Sequence, residues 1–243
     1  MLTQYRFRLV PSRPCTPGPE WGYALYAALL ERFPAEFGAQ IHEDGVSPIS
    51  QFLEAGAEPL LWNVTLLGEG AEAVGRPILE AAPSLALRRG ITFSLELREQ
   101  RVIGQPEELF LQGAAQGRLH RLTFMTPTAF KVRGQYLTLP TARLLLQSAI
   151  KRWNGCFPEC PIEDENGEGL EAMARGLVWK DFSLRSRYYP LKGCRIPGFT
   201  GSLAVENTLS GFHRQLADAL LAFSGYAGVG IKTTLGMGGV RHR

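Results

Sequence analysis

Cysteine, histidine and lysine are scarce in this chain, whose 243 residues include four cysteines, four histidines and five lysines. The cysteines lack the paired C-x-x-C spacing of a zinc site, and Cys156-x-x-x-Cys160 with two outlying cysteines is a weaker pattern. No group of carboxylates and histidines has the spacing of a catalytic metal site either. We therefore expect buried or loop thiols and no bound metal.

Long apolar runs are also missing. No segment approaches the roughly eighteen uncharged apolar residues of a membrane-spanning helix. The first residues alternate like a strand, with Leu2, Tyr5, Phe7 and Leu9 among polar residues, and do not resemble a signal peptide. We expect a cytoplasmic protein that does not enter a membrane.

Arginine supplies most of the positive charge. The net charge is only +3, but all except five of the 26 basic residues are arginine. The flat, permanently charged guanidinium suits phosphates and stacked bases, so this bias points weakly to nucleic acid. Genomic base composition produces the same bias, so it does not decide the function.

Apolar periodicity predicts one order of elements twice, strand-helix-strand-strand-helix-strand in outline. In the first half it predicts strands at 2–9, 60–67 and 91–103 and helices at 21–33 and 71–82. In the second half it predicts strands at 118–125, 177–189, 196–206 and after Gly228, with helices from about Pro140 to Trp153 and at 209–223. This order predicts an α+β protein of tandem ferredoxin-like (RRM-like, βαββαβ) domains, 1–115 and 116–243.

A glycine-rich tail follows the last predicted helix. Residues 225 to 240 read Gly-Tyr-Ala-Gly-Val-Gly-Ile-Lys-Thr-Thr-Leu-Gly-Met-Gly-Gly-Val. This high density of glycine predicts positive φ angles and a backbone that approaches another group closely. We expect Gly225 to cap the helix and a short strand to follow the loop.

The position of these glycines argues against a nucleotide-binding loop. A P-loop lies between a strand and a helix, but these glycines follow a helix, and only eleven residues remain after Lys232. The dinucleotide pattern fails because Thr233 occupies the position of the third glycine. A loop of backbone N–H groups beside Lys232 remains, suited either to RNA phosphates or to a tight structural turn.

The tail resembles the carboxy-terminal glycine-rich motif of the RAMP superfamily. The matching residues run without a gap through Gly228-Val-Gly230-Ile-Lys-Thr-Thr-Leu-Gly236-Met-Gly238. Within that superfamily the chain resembles the CRISPR-associated, precursor-crRNA processing endoribonucleases, through Phe223-Ser-Gly-Tyr226, Lys232-Thr-Thr234 and Gly198-Phe-Thr-Gly201. The resemblance covers the second half well and the first half mainly by topology.

This resemblance implies a prokaryotic endoribonuclease that cleaves precursor CRISPR RNA within its repeats, without a metal ion or other cofactor. Attack by a 2′-hydroxyl would leave a 2′,3′-cyclic phosphate and a 5′-hydroxyl, which requires a base, an acid and positive charge on the phosphorane. Its partner would be the repeat RNA, as precursor and as product. Subunits of a CRISPR effector complex and a homodimer are further candidate partners.

The resemblance also makes His42 the candidate general acid or base. His42 follows the first predicted helix and precedes a serine-proline segment, as the family's histidine does, and its pKa near neutrality suits either role. Tyr26 and Tyr23 are candidates for orienting the 2′-hydroxyl, although either could be a core residue. Tyr26 is preferred because it lies nearer the helix end that leads to His42.

The other three histidines are predicted to be non-catalytic. His120, in a strand, and His213, in a helix, are expected to be structural or surface residues. His242 belongs to a terminal segment, Arg241-His-Arg243, that we expect to be mobile.

One common family feature, a lysine a few residues after the histidine, is absent, and the first lysine is Lys131. The positive charge that stabilises the phosphorane must then come from Arg32, Lys131 or Lys232, or it is missing from the site. Missing charge would favour the alternative function, a non-catalytic RAMP-type subunit that binds guide RNA in an effector complex. A nucleotide-hydrolysing enzyme is disfavoured by the position of the glycine-rich loop.

The candidate RNA-binding residues come from the glycine-rich loop and from basic side chains elsewhere in the second half. They are Gly225, Gly228, Gly230, Lys232, Thr233, Gly236, Gly238, Lys131, Lys180, Arg185 and Arg187. Tyr188 and Tyr189 add aromatic surface to the basic hairpin. Arg143, Lys151 and Arg152 lie along one helix and form either phosphate contacts or a solvated basic face.

Overall fold

The computed structural model describes residues 1–37, 47–56, 58–88 and 90–243. The first half of the described chain forms one antiparallel sheet with three helices. Its strands are β1 (Leu2–Pro11), β2 (Ile49–Glu54), β3 (Leu61–Leu67), β4 (Ser84–Leu87) and β5 (Ile91–Ile103). Its helices are α1 (Trp21–Leu30), α2 (Glu69–Ala81) and α3 (Pro106–Ala115).

The second half forms another antiparallel sheet, a small hairpin and three helices. Its strands are β6 (Leu119–Thr128), β7 (Phe130–Val132), β8 (Gln135–Leu137), β9 (Leu177–Leu191), β10 (Cys194–Asn207) and β11 (Val240–His242). Its helices are α4 (Ala142–Cys156), α5 (Glu168–Gly176) and α6 (Gly211–Ala227), and a 3₁₀ turn covers Thr233–Leu235.

The first sheet has the order β2-β3-β1-β5-β4. Strand β1 alternates as the sequence predicts, and Tyr5, Phe7 and Leu9 are buried in a core shared with α1 and α2. The other face of the sheet contributes Leu2 and Leu67 to the core of the second half. The two halves therefore pack together through the face of the first sheet that lies opposite its helices.

The second sheet has the order β11-β6-β10-β9. Alternating residues of β6 and β10 face α4 and α6, where Trp153 and Phe223 pack with ring centroids 5.5 Å apart. The predicted α+β, tandem ferredoxin-like fold is confirmed. In the described residues, none of the helices combines the length and the hydropathy required to cross a membrane.

The boundary near residue 115 stays a prediction, and α3 lies beside it. This helix packs against α6. A Cβ added at Gly113 would lie 2.5 Å from the backbone carbonyl oxygen of Asp218, so the glycine permits the close approach of the two helices.

The sequence did not predict β2, β4, the β7–β8 hairpin, α3 or α5, and the first sheet has five strands where four were expected. Strand β2 shows why periodicity fails here. All six of its residues are buried, including the polar Ser50, Gln51 and Glu54, so no alternation of apolar and polar residues marks it.

Two predictions about the carboxy-terminal tail are wrong. Helix α6 continues through Gly225 to Ala227, and Gly228, with φ of 73°, follows its end. The last residues are not mobile, because Val240–His242 pairs with β6 and Arg241 contacts the carboxylate of Glu54.

Candidate active-site cleft

A basic cleft of about 820 Å³ lies between the two halves. Tyr26 on α1 and Ser47 line it from the first half, and the second half contributes the β7–β8 hairpin, α4 and residues 230–235. The basic side chains along it are Lys131, Arg133, Arg143, Lys151, Arg152 and Lys232. No aspartate or glutamate is among the described lining residues, so the cleft attracts a polyanion.

The glycine-rich loop has the backbone conformation that its composition predicts. Gly228, Gly230, Gly236 and Gly238 all have positive φ, between 68° and 99°. The space around Gly230 also excludes a side chain, since an added Cβ would lie 2.2 Å from the carbonyl oxygen of Ala129. Glycine is required there for both reasons.

Gln51 connects the loop to the first half. Its amide nitrogen donates to the carbonyl of Thr234 at 2.8 Å and to the carbonyl of Gly22 at 3.0 Å. Its amide oxygen accepts from the indole of Trp62 at 2.8 Å. One buried side chain on β2 thereby sets the position of the loop against α1.

Tyr189 connects the loop to the β9–β10 hairpin. Its hydroxyl donates to the carbonyl of Leu235 at 2.5 Å and lies 3.3 Å from the carbonyl of Pro19. Because the ring is fully buried, the pKa of Tyr189 is raised above its ordinary value. The prediction that Tyr189 offers stacking surface is therefore wrong, whereas Tyr188 is exposed and packs 4.6 Å from the guanidinium of Arg195.

Helix α4 holds the loop from its other side. Ser148 and Arg152, one turn apart, both contact Gly230: the Ser148 hydroxyl accepts the Gly230 N–H at 2.8 Å, and Arg152 Nη2 donates to the Gly230 carbonyl at 3.3 Å. The N–H of Ile231 donates to the carbonyl of Ala129 at 3.0 Å. Contacts from α4 and the β6–β7 connection therefore fix this part of the loop.

Lys232 and Thr233 occupy opposite environments in the loop. Lys232 adopts φ of 56° and is exposed at the cleft, while its carbonyl accepts the N–H groups of Leu235 and Met237. Thr233 is 1% exposed, and its hydroxyl has no hydrogen-bond partner among the described residues. Lys232 can reach a ligand in the cleft, whereas Thr233 packs beneath it.

The structure separates the two tyrosine candidates. Tyr26 is 5% exposed and lines the cleft, where burial raises its pKa to about 12 and a hydrogen bond from Ser47 acts in the opposite direction. Tyr23 is half-buried, with the Lys192 ammonium 5.2 Å from its ring, and lines a separate hollow with Arg88. The third catalytic candidate, His42, lies outside the described residues.

The RNA-binding candidates are only partly brought together. Gly230, Lys232, Thr233 and Lys131 line the cleft. Gly228, Gly236 and Gly238 shape the loop behind it, and Gly225 lies within α6 against His242. Lys180, Arg185 and Arg187 are exposed on β9 outside the cleft, where Lys180 pairs with Glu206 at 3.1 Å.

Several residues of the site carry no local signal in the sequence. Gln51, Ser47 and Ser148 are common polar residues whose roles depend on segments distant in the chain. Among the described residues no group of histidine, cysteine, aspartate and glutamate could hold a metal ion, and the four cysteines are free.

Comparison with known proteins decides the family. The model of the CRISPR-associated endoribonuclease Cas6 family matches residues 122–240. A CRISPR-associated endoribonuclease Cas6 of Mycobacterium tuberculosis is 32% identical over 241 residues, covering 95% of this chain and 73% of the relative. The chain belongs to the Cas6 family.

Other Cas6 proteins extend the match over the whole chain. A Cas6 of Streptococcus thermophilus is 25% identical, covering 93% of this chain and 92% of its own. A Cas6 solved as a product complex is 26% identical, covers 100% of this chain and 99% of its own and has a TM-score of 0.78. A Thermus thermophilus Cas6, 24% identical with coverage of 100% and 98%, has a TM-score of 0.72 and supports the fold.

Membership of the Cas6 family confirms the predicted CRISPR repeat-processing endoribonuclease. Because the relatives are endoribonucleases, the prediction of an enzyme is preferred over that of a non-catalytic RNA-binding subunit.

Proposed function

We propose that this Cas6-family endoribonuclease cleaves precursor CRISPR RNA within its repeats without a metal ion. A 2′-hydroxyl attacks the adjacent phosphate, and the products carry a 2′,3′-cyclic phosphate and a 5′-hydroxyl. The observation that carries the proposal is the lining of the cleft, which combines six basic side chains and a tyrosine with no carboxylate among its described residues. Lysine and arginine side chains can stabilise a phosphorane directly, whereas a divalent metal ion would require oxygen ligands from the protein.

In this proposal His42 is the general acid or base. The sequence places it five residues before Ser47, which lines the cleft beside Tyr26. Neutral and protonated imidazole are both available near neutral pH, so one histidine can take the 2′-hydroxyl proton or supply a proton to the leaving 5′-oxygen.

Tyr26 orients the reacting groups in this mechanism. With a pKa raised to about 12 by burial, its phenol stays protonated at neutral pH. It therefore donates a hydrogen bond and does not act as the base. Tyr26 is preferred to Tyr23 because only Tyr26 lines the cleft.

The ligand in this proposal is the CRISPR repeat RNA, before and after cleavage. Similar Cas6 proteins have been solved as a product complex and as a substrate-mimic complex. Contact with effector-complex subunits or with a second copy of the chain remains a prediction.

The test is cleavage of labelled repeat RNA from the same array, in EDTA. The wild type, His42→Ala, Tyr26→Phe and Tyr23→Phe are compared under single-turnover conditions. His213→Ala serves as a histidine control, because His213 is exposed and lies outside the cleft. A second RNA carries hydrogen in place of the scissile 2′-hydroxyl.

We expect the wild type to cut once in EDTA and to leave an end that resists phosphatase until acid opens the cyclic phosphate. His42→Ala and the 2′-deoxy RNA should abolish cutting with binding retained, and Tyr26→Phe, which removes one hydrogen-bond donor, should slow cutting roughly 10²- to 10³-fold. His213→Ala and Tyr23→Phe should cut normally. Cleavage that stops in EDTA contradicts the metal-free mechanism, and normal cleavage by His42→Ala contradicts the histidine assignment.

A further inference from the structure

Arg152 is a shielded cation that has no counter-charge among the described residues. Its guanidinium lies on the α4 side of the cleft, and its single described hydrogen bond is the 3.3 Å contact from Nη2 to the Gly230 carbonyl. Nη1 is shielded from solvent and has no partner among the described residues. No described carboxylate forms an ion pair with it, although Arg143 on the same helix pairs with Glu171.

Such an arrangement is unfavourable unless an anion completes it. A guanidinium removed from water loses hydration that one neutral carbonyl does not replace. Burial lowers the pKa of Arg152 to about 10, so the group still carries its charge at neutral pH. Other half-buried arginines of the described chain are compensated, as Arg76 is by Glu72 and Arg241 by Glu54.

The neighbourhood of Arg152 matches a phosphate. The hydroxyl of Ser148 already accepts the N–H of Gly230, so that part of the loop is held independently of Arg152 Nη1. Lys151 and Lys232 line the same cleft, while its described lining offers no carboxylate that would repel an anion. A guanidinium also presents paired N–H donors that fit two phosphate oxygens at once.

We infer that Arg152 binds a phosphate of the RNA that occupies the cleft, with Nη1 as a principal donor. The inference rests on the proposed function in placing RNA in this cleft. It assigns part of the positive charge of the cleft to a residue that lies 110 positions after His42 in the sequence. The competing role for Arg152 is a clamp that only holds Gly230.

Three substitutions separate these two roles. Arg152→Gln keeps a side-chain N–H donor and removes the charge, whereas Arg152→Lys keeps the charge and removes the planar pair of N–H donors. Arg98→Gln removes one charge from an exposed arginine that pairs with Glu96 outside the cleft and is the matched control. Binding of 2′-deoxy repeat RNA, which cannot be cut, is measured from low to high salt, together with the thermal unfolding of each protein.

Phosphate binding predicts that Arg152→Gln weakens RNA binding roughly ten- to a hundredfold at low salt. It also predicts that the slope of log K against log salt becomes shallower by roughly 0.7 to 0.9, because one fewer counterion is released. Arg152→Lys should keep the wild-type slope and lose part of the affinity, and Arg98→Gln should change neither quantity.

A wild-type slope in Arg152→Gln overturns the inference, whether or not the unfolding temperature or the affinity falls, because a clamp changes loop geometry without changing the ions released. A shallower slope in both Arg152→Gln and Arg98→Gln overturns it too, since the effect would then be one of overall charge. The slope is measured without cleavage, so a wild type that fails to cut in EDTA contradicts the proposed mechanism and leaves this result standing.

Discussion

The imidazoles of His120 and His242 lie 2.9 Å apart between Nδ1 of the first and Nε2 of the second, with ring centroids separated by 5.1 Å. The other nitrogen of His120 is 2.8 Å from a carboxylate oxygen of Asp218, which also accepts from Asn207 at 2.6 Å. These hydrogen-bonded side chains join β11, β6 and α6. Because β11 follows the glycine-rich loop, the same cluster anchors the strand in which the tail ends.

This cluster predicts a stability that falls in mild acid. Burial, and then the neighbouring His120, lower the pKa of His242 to about 4, against an ordinary value near 6.5, while Asp218 acts in the opposite direction. Between those values the unfolded chain binds a proton that the folded chain does not, so the unfolding free energy should decline as pH falls from about 6.5 towards 4. Urea unfolding at a series of pH values measures this.

His242→Gln should flatten that part of the pH profile. His213→Gln, which alters an exposed histidine, should leave the decline unchanged. Arg214 also faces this cluster, with its guanidinium 3.5 Å from the carboxylate of Asp218. An unaltered slope in His242→Gln contradicts the assignment to His242.

Asp218→Ala should destabilise the protein by about 3–5 kcal/mol. The substitution leaves the buried donors of His120 and Asn207 without their acceptor, in a place that water does not reach. Chemical denaturation at neutral pH measures the loss. The control Asp181→Ala removes an exposed carboxylate and should stay within about 0.5 kcal/mol, and a similar small change in Asp218→Ala would refute the prediction.

Gly230→Ala should reduce both stability and RNA affinity. Its positive φ alone costs about 1–2 kcal/mol for alanine, and the new Cβ would lie 2.2 Å from the Ala129 carbonyl oxygen, so the loop must shift. Gly117→Ala carries the strain of a similar φ but meets no atom within 4 Å. We expect it to lose only the conformational part of stability and to bind RNA normally. Equal RNA affinity of the two variants would show that the loop tolerates the shift.

Gln51→Met should slow RNA cleavage and destabilise the protein by about 2–4 kcal/mol. Methionine fills similar space but leaves the carbonyls of Gly22 and Thr234 and the indole of Trp62 without their buried partner. Unfolding and single-turnover cleavage are measured side by side. Gln100→Met, at an exposed site on β5, should preserve both, and full activity of Gln51→Met would contradict a positioning role.

The fold was largely predictable where local patterns are strong. Strand β5 was predicted at 91–103, which are its observed bounds, because apolar residues alternate in its first part. Strand β2 was missed because both of its faces are buried. The end of α6 was placed at Gly225 because glycine favours a cap, but tight packing against His242 explains a glycine inside that helix.

The site was predictable in part. The tail motif indicated the loop, its positive φ angles and the RAMP resemblance, and Lys232 does line the cleft. From the sequence, Tyr26 was preferred to Tyr23 only because it lies nearer the helix end that leads to His42, and the two side chains project roughly 60° apart around a helix. In the fold Tyr26 lines the cleft, whereas Tyr23 lies beside Lys192, and these positions support the proposed role of Tyr26.

The sequence by itself determined the duplicated order of elements, the basic and glycine-rich character of the second half and the resemblance to a family of RNA-cleaving enzymes. These are properties of neighbouring residues, which periodicity and composition report directly. Only the tertiary structure placed Tyr26, Arg152 and Lys232 along one cleft and left Arg152 without a described carboxylate partner. Such groupings depend on how the two halves pack, because the contacts join segments that are distant in the chain, as between Gln51 and Thr234.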